Sequence, residues 1–526
     1  MELEIKHRYL VFPVNTVHTK KRLSFWRGEE AVYSLNIHLD NLEPTFWAYV
    51  DVERFRGERL TLTVEPAMEL SFRETDEMEL PDLYREAWRP RVHFTTKNGW
   101  SNDPNGLIYL DGVYHMFYQH NPCAPKWDNM HWGHATSTDL LHWTEEPIAL
   151  FPDANGTVFS GSAILDVENR TGLAADGGRS PAVLLYYSAS NQYMAYSTDG
   201  LKTIQKYNEP VIPHVTEGYC DPNVNYCEEL SAYLMAIYVR GEEYAIFRSD
   251  DLLHWTLLQK LELKGDHECP DLFPITDNEG TRKWVLMGAR DRYLVGDITE
   301  QGFVPSQEIR ALHYGRTAYA GQTFSGLPNG RIIRMDWEKW KAPTPSLSAM
   351  CQMSLPCDLT LERREDGHYL AAKPIPELKA LFLGQEIYEN LSVSETQDIV
   401  LSLEPRPYHL ALRAPDMDPD AKLTLTFFGR TIDLNMEKNL GEVREWDFPL
   451  SHTFRGLDLE MVIDRMGPEL YLDEGRIYAA LLLEDMVPDP NLPSLRITAD
   501  RPCKIERIEL HPLESIWKDA EAAEAP

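Results

Sequence analysis

An all-β fold is the architecture this sequence predicts: a five-bladed β-propeller, with a small N-terminal β domain ahead of it and a C-terminal β-sandwich behind it. Three observations carry this expectation. A ten-residue unit repeats at blade-like intervals, short alternating runs flank the repeat region on both sides, and aromatic residues, including 13 Trp and 25 Tyr, are spread along the chain. Aromatic and β-branched side chains suit a pleated, half-buried surface.

In chain order, residues 31–39, 45–52 and 60–64 are short runs separated by charged, turn-like stretches. They predict a small β domain over residues 1–85. The acidic residues 73–81 read as the linker out of it. The repeat follows: Ala135-Thr-Ser-Thr-Asp-Leu-Leu-His-Trp-Thr144 recurs 60 residues later from Ala195 and 52 residues after that from Phe247, with a degenerate copy near Gly296. A period of about 50 to 60 residues holding several short strands is what a propeller blade produces, because each sheet must stack on its neighbours to bury its faces. Residues 86–365 then accommodate five blades. The Ser-x-Asp pairs of the repeat are expected to close turns, with Trp packing beside them. Pro-rich segments at residues 341–346 and 373–377 end this region, and residues 398–403, 408–412, 422–428 and 457–463 alternate as sandwich strands do. The sandwich is placed over residues 380–515. Residues 516–526 form a tail whose polar, Ala-rich end is expected to be frayed or helical.

At 526 residues the chain is long enough for two or three domains, and its composition is that of a globular protein. Acidic residues outnumber basic ones 83 to 51, a formal charge of -32. Such a surface repels phosphate backbones and anionic lipid, so neither nucleic acid nor membrane is expected as a partner. No segment approaches about 18 uninterrupted apolar residues, and the N-terminus lacks a basic stretch followed by a long apolar run. Seven cysteines form no C-x-x-C pair and cannot all be bridged. The expected compartment is the cytoplasm, and no metal site or cofactor is expected.

A propeller gathers polar groups from distant positions around a central funnel, so carboxylates in small, aromatic or Gly/Pro-rich loops are the candidates for chemistry. Three qualify: Asp103 in Asn98-Gly-Trp-Ser-Asn-Asp-Pro-Asn-Gly106, Asp221 in Gly218-Tyr-Cys-Asp-Pro222, and Glu268 in Asp266-His-Glu-Cys-Pro-Asp-Leu-Phe273. Cleavage of a glycosidic bond needs one carboxylate at the anomeric carbon and one protonated carboxyl at the leaving oxygen. A third acid can hold sugar hydroxyls through charge-assisted hydrogen bonds. An Asp beside Pro or Gly is by itself more often a turn former.

Together the segments resemble the signature blocks of glycoside hydrolase family 32, the invertase, levanase and inulinase family. The matching blocks run in order: Arg91-Val-His-Phe94, Gly99-Trp-Ser-Asn-Asp-Pro-Asn-Gly106, Tyr114-His-Met-Phe-Tyr-Gln-His-Asn-Pro122, Met130-His-Trp-Gly-His134, Phe159-Ser-Gly-Ser162, Cys220-Asp-Pro222, Glu268-Cys-Pro-Asp-Leu-Phe273, Gln322-Thr-Phe324, Ser354-Leu-Pro356 and Pro374-Ile-Pro-Glu-Leu378. The resemblance implies a five-bladed propeller followed by a sandwich, and retaining hydrolysis of terminal β-D-fructofuranosyl bonds in sucrose, fructo-oligosaccharides or fructans through a covalent fructosyl-enzyme. It further implies Asp103 as nucleophile, Glu268 as acid/base and Asp221 as transition-state stabiliser. Asn102, Gln119, Trp127, Phe159 and Ser160 match positions lining the fructose pocket. The chemistry asks for an ionised Asp103 and a Glu268 whose pKa is raised. Alternatives are a fructosyltransferase on the same scaffold, a catalytically weakened fructoside-binding protein and an arabinan-type glycosidase. The expected partner is a small sugar, with a homo-oligomer left open.

Three positions and one segment depart from the family pattern. Cys220 stands where Arg usually precedes the stabilising Asp, and it is expected as a small apolar filler, with Arg240 or Arg290 as candidate replacements for the missing cation. Ser101 and His267 replace bulkier apolar residues. In residues 331–340, either Asp336 or Trp337 is left to face the sugar.

Overall fold

The computed structural model describes residues 1–517 except 176–177, 189–190, 213–217, 316, 341–347, 444–445, 453–455 and 484–494. Among the described residues nearly all regular structure is β, and the helical turns are short 3-10 segments. The expected tail end at residues 518–526 and the Pro-rich residues 341–346 lie outside the described residues.

The N-terminal residues form two small antiparallel sheets. Glu2–Glu4, Arg59–Glu65, Lys21–Arg27 and Glu30–Ile37 make one; Phe46–Asp51, Tyr9–Val14 and Arg73–Thr75 make the other. Leu10, Phe12, Phe25, Tyr33 and Leu35 fill the space between them. Part of the stretch expected as a linker is therefore strand: Arg73–Thr75 pairs with Tyr9, Leu10 and Val11. Its charged side chains obscured this because an edge strand shows a face to water.

Five successive sheets follow, each a run of antiparallel neighbours. The first contains Gly99–Leu110, Val113–Asn121, His131–Ser137 and Thr144–Glu145; the second Gly161–Leu165, Ala182–Ser188, Asn191–Ser197 and Gln205–Lys206. The third contains Cys220–Cys227, Ala232–Arg240, Glu243–Ser249 and Thr256–Glu262; the fourth Asp271–Thr276, Arg282–Met287, Arg292–Thr299 and Gly302–Pro305. The fifth contains Ala318–Thr323, Ile332–Glu338, Cys357–Arg364 and Gly367–Pro374. The leading strand of each sheet lies against the leading strand of the next, and the fifth returns to the first, so the leading strands close a ring. Ala349 and Met350 also pair in parallel with Gly99 and Trp100, which ties the end of this region to its beginning.

The ten-residue repeat is the turn between the third and fourth strands of the first three sheets. Ser137, Ser197 and Ser249 donate through Oγ to Asp139, Asp199 and Asp251 at 3.0, 2.8 and 3.1 Å. These carboxylates then accept backbone N–H groups from the residues that follow. Leu140, Leu201 and Leu252 take positive φ values of 67°, 64° and 66°. Trp143 and Trp255 donate their indole N–H to Leu140 O and Leu252 O. The repeat is structural, as its residue types imply.

Polar side chains stitch the leading strands together. Asn105 Oδ1 accepts from Gly161 N at 3.2 Å, joining the first two sheets. Ser162 donates to Pro222 O at 2.9 Å and accepts from Val224 N at 3.0 Å, joining the second and third. Asn223 donates to Asp271 Oδ1 and accepts from Leu272 N, each at 3.0 Å, joining the third and fourth. Asp271 accepts from Thr323 N and Oγ1 at 2.8 and 3.2 Å, joining the fourth and fifth. Ser325 N donates to Leu107 O at 2.9 Å and closes the circuit.

After the fifth sheet the chain forms two six-stranded sheets. One orders Glu386–Val393, Cys503–Pro512, Tyr408–Ala414, Leu457–Asp464, Gly467–Leu472 and Ile477–Ala480; the other Ile399–Leu401, Leu495–Ala499, Lys422–Phe427, Arg430–Asn435, Leu440–Val443 and Trp446–Pro449. Their inner faces share one core that includes Leu410, Leu425, Phe427, Ile432 and Ile508. A buried polar group joins them to the ring: Asp464 accepts from Arg91 N, Val92 N and His93 Nδ1, while Glu469 accepts from Leu355 N. Its hydrogen bonds to charged His93 and the backbone hold Asp464 down to about 2 despite burial.

Replacing Asn223 by Leu removes both hydrogen bonds between the third and fourth sheets and leaves Leu272 N and one Asp271 oxygen without that partner. Unfolding in urea should show a loss of about 1–3 kcal/mol, the cost of unsatisfied buried groups.

Candidate functional site

The leading strands lose regular pairing where the three candidate acids stand. Register shifts fall between Ser101 and Pro104, which brackets Asp103, and between Cys220 and Asn223, which brackets Asp221. Glu268 lies in the loop that enters Asp271–Thr276. A bulge re-aims a side chain that regular alternation would send into a neighbouring sheet. Asp221 and Glu268 have φ of 57° and 58°, and Cys269 has 36°. Non-glycine residues in this region cost about 1–2 kcal/mol each, so the surrounding structure must hold them there.

The hydrogen bonds around Glu268 show how. Its carbonyl accepts from Tyr244 OH at 3.2 Å and from Ala289 N at 3.3 Å. Asp266, two residues earlier, accepts from the backbone N–H groups of His267, Arg290 and Arg292. Desolvation raises the Asp266 carboxyl to about 7 even so.

The three acids meet in one pocket. Asp103 Oδ2 accepts from Ser160 Oγ at 2.6 Å and lies 3.7 Å from Cys269 Sγ. Cys269 N donates to Asp221 Oδ2 at 3.3 Å, so one residue spans two of the acids. Tyr319 OH donates to Glu268 Oε2 at 2.5 Å. With its proton given there, Tyr319 OH accepts from His267 Nε2 at 2.9 Å. The Glu268 side chain is 46% exposed, within reach of an entering molecule.

The charges are mutually felt. Desolvation first, and then the charges of Asp103 and Glu268, push Asp221 up to about 7. Burial also raises Asp103, against hydrogen bonds from Ser160 and Asn102. Asp221 is thus enclosed both by burial and by like charge. Lys339 is the cation among these groups: Asp103 and Glu268 favour its charge while desolvation opposes it. Its ammonium lies 3.2 Å from the centre of the Tyr319 ring.

The other expected residues are brought to the same place by different means. Asn102 accepts from Trp100 Nε1 at 2.9 Å and supports Asp103. Gln119 is buried and donates to Val158 O at 2.9 Å, fixing the segment that carries Phe159 and Ser160. Gly161 is required next to them, because a Cβ there would fall 1.8 Å from Leu185 O. Trp127 is 55% exposed, and its ring lies parallel to Phe159 with centroids 6.2 Å apart. Tyr187 also stacks with Phe159, their centroids 5.5 Å apart.

Cys220 is no apolar filler: its thiol hydrogen-bonds to Asp221, and burial next to that carboxylate raises the thiol pKa. Arg240 is exposed and pairs with Glu243, while the Arg290 backbone serves Asp266. Neither guanidinium bonds to Asp221. Asp336 is buried with Asp291 around Arg334, its Oδ2 3.1 Å from Arg334 Nη1. Trp337 packs against Trp100 and Tyr319 and is the residue of that pair turned toward the site. Gly321 makes room for Arg334, whose Nη2 would lie 2.0 Å from a Cβ there. The Arg334 group thereby backs the shift between Tyr319 and Gln322 that delivers Tyr319 to Glu268. Sequence reasoning missed Tyr319, Lys339 and Cys269. Cys269 and Tyr319 lie inside or three residues before recognised blocks, whereas Lys339 had no signal.

Asp221→Asn should raise the melting temperature, and more at about pH 8 than at about pH 5. The folded chain keeps the Asp221 proton up to about pH 7, while the unfolded chain releases it near pH ~3.9. The wild type therefore loses stability as pH rises through that window, and a neutral amide does not.

Residues 93–374 match the family model described as the glycosyl hydrolases family 32 N-terminal domain. The chain is 29% identical over 490 residues to a levanase of Bacillus subtilis (strain 168), covering 82% of this chain and 72% of that protein. It is 36% identical over 304 residues to an invertase of Schizosaccharomyces pombe, covering 50% of this chain and 52% of that one. It is 35% identical over 281 residues to a fructan beta-fructosidase of Streptococcus mutans, spanning 50% of this chain but 19% of that longer protein. In fold it is similar to the exo-inulinase of Aspergillus awamori, with a TM-score of 0.71, 22% identity, and 84% of this chain and 100% of that one covered. The β-fructofuranosidase of Schwanniomyces occidentalis, solved with fructosyl-erythritol, gives a TM-score of 0.71 at 24% identity with the same coverage. With more than half of its length matched by the family model, the chain belongs to glycosyl hydrolase family 32, a family of glycosidases.

Proposed function

We propose that the protein is a retaining glycosidase that releases terminal β-D-fructofuranosyl units from sucrose, fructo-oligosaccharides or fructans. The observation that carries this reading is the convergence of Asp103, Asp221 and Glu268 from three different sheets, with Cys269 touching the first two, the charge of Glu268 acting on Asp221, and Ser160, next to Phe159, bonded to Asp103. Family membership and the names of the relatives support it.

Asp103 attacks the anomeric carbon while Glu268 gives its proton to the departing oxygen, leaving a fructosyl ester on Asp103. Water, deprotonated by Glu268, then attacks the same carbon and frees Asp103, so configuration is retained. Ser160 and Asn102 favour the ionised nucleophile by hydrogen bonding to it. Asp221 holds fructose hydroxyls, and its bonds strengthen as the ring becomes cationic. Tyr319 and His267 supply hydrogen bonds that orient Glu268 and adjust with its proton. Trp127 and Phe159 present ring faces to the furanose, and Gln119 keeps the Phe159–Ser160 segment in position.

The architecture we propose for this activity has the five sheets as blades of a β-propeller over about residues 86–365, with the last hairpin running to Pro374. A sandwich covers residues 380–515 and a small β domain residues 1–85. Cysteines that are all unbridged support a cytoplasmic location.

Incubation with sucrose, a β-2,1 oligomer and a β-2,6 oligomer should release fructose, with the β anomer appearing first by NMR. First release of the α anomer would overturn the retaining mechanism. Glu268→Gln should slow release by about 10²–10⁴-fold, the usual worth of general acid/base catalysis. A fluorinated fructoside should label the peptide containing Asp103, and Asp103→Asn should abolish that label in mass spectra of the denatured protein.

A further inference from the structure

Outside the acid pocket, three side chains from distant parts of the chain bring potential ligand atoms together. His93 precedes the first sheet, Glu338 ends Ile332–Glu338 of the fifth, and Glu469 lies in Gly467–Leu472 of the C-terminal sheets. One nitrogen or oxygen from each lies within 4.8 Å of the other two. All three residues are buried where the ring meets the C-terminal sheets, His93 and Glu469 at 1% exposure.

Each side chain is aimed by a partner behind it. His93 Nδ1 bonds to Asp464 Oδ2 at 2.8 Å, which turns Nε2 toward Glu469. Glu469 accepts from Tyr471 OH at 2.5 Å and from Leu355 N at 2.9 Å. Gln352 Nε2 donates to Glu338 Oε2. A carboxylate behind an imidazole, and hydrogen-bond donors behind carboxylates, orient metal ligands and strengthen the ring as an electron-pair donor.

The spacing fits an ion better than a hydrogen bond. His93 Nε2 stands 3.3 Å from Glu469 Oε1 and makes no hydrogen bond. A charge-assisted N–H···O bond is about 2.7–2.9 Å long, whereas two ligands of one tetrahedral ion, each about 2.05 Å from it, stand about 3.3 Å apart. The charges also call for a cation. Asp291 and Asp336 share Arg334, which leaves Glu338 and Glu469 facing His93 alone, and Asp464 already holds that ring. Carboxylates this close repel in a low dielectric unless a cation or a proton comes between them. Two neutral oxygens add to the set. Tyr478 OH and Gln352 Oε1, in residues 1% and 2% exposed, have no hydrogen-bond partner. Tyr478 stacks on Tyr471 and is acted on by the charges of Glu469 and Glu338.

We propose that His93, Glu338 and Glu469 hold a divalent transition-metal ion, zinc when zinc is supplied, as a structural bridge between the ring and the C-terminal sheets. One nitrogen and two carboxylate oxygens suit such an ion. Its competitor is a second proton on His93, which would make the ring an imidazolium paired with Glu469.

The test produces the full chain and a Glu338→Gln variant in zinc-supplemented medium, desalts both, and measures bound metal by mass spectrometry and melting temperature with and without a chelator. The wild type should keep about one ion per chain, and the variant at least about ten-fold less. Stripping the wild type should lower its melting temperature and zinc should restore it, because the ion binds the folded form, while the variant should not respond. Metal below about 0.1 ion per wild-type chain sinks the proposal. Equal metal in the two proteins places the ion elsewhere, on surface histidines, and sinks it too. If the variant does not fold, anomalous diffraction at the zinc edge from wild-type crystals decides. A peak bonded to His93 Nε2 and both glutamates supports the bridge; a hydrogen-bonded His93–Glu469 pair without a peak refutes it. None of these readouts involves fructose release, so the fructosidase reading stands or falls separately.

Discussion

The structure depends on a closed circuit of hydrogen bonds among its leading strands. Asn105, Ser162, Asn223, Asp271, Thr323 and Ser325 each reach across to the next sheet, so neighbouring sheets are held in register by buried polar groups as well as by apolar faces. Apolar packing is non-directional and tolerates sliding. A buried Asn or Asp does not, because a shift of one residue leaves donors and acceptors unpaired. This register places residues from three sheets within a few ångströms of one another.

What the circuit holds is unfavourable by itself. Three carboxylates share a pocket with little compensating charge, Asp221 is pushed to about 7, and Asp221 and Glu268 adopt left-handed backbone conformations. Desolvation and like-charge repulsion would move these side chains apart in a looser frame. Local devices oppose this: Asp266 collects three backbone N–H groups under the Glu268 loop, and Cys269 binds both Asp221 and Asp103. Strain and repulsion are concentrated at the three acids and offset by regular pairing elsewhere.

The rim of the site is equally organised. Lys339, over the Tyr319 ring, brings positive charge toward the acids from the fifth sheet, in the absence of an arginine before Asp221. Cys220 gives Asp221 a thiol hydrogen bond in that arginine's place, a weaker donor without charge. Acid strength in this pocket is thus set more by burial and hydrogen bonds than by a fixed cation next to Asp221.

Much was determined by the sequence alone. The repeat with its Ser-x-Asp turns, the β character, the three acids and the segments around them are local in kind: residue types whose turn geometry or chemistry is the same wherever they sit. The tertiary structure decided what depends on distance between remote positions. Arg73–Thr75 pairs as an edge strand despite its charge, Trp337 and not Asp336 turns to the site, and Gln119 spends its amide on Val158 O. Lys339 and Tyr319 enter the pocket from the fifth sheet beside residues the sequence did mark, but with no motif of their own. The raised pKa of Asp221 has the same origin. Proximity and burial set electrostatic energies, and both are properties of the assembled ring, not of any one segment.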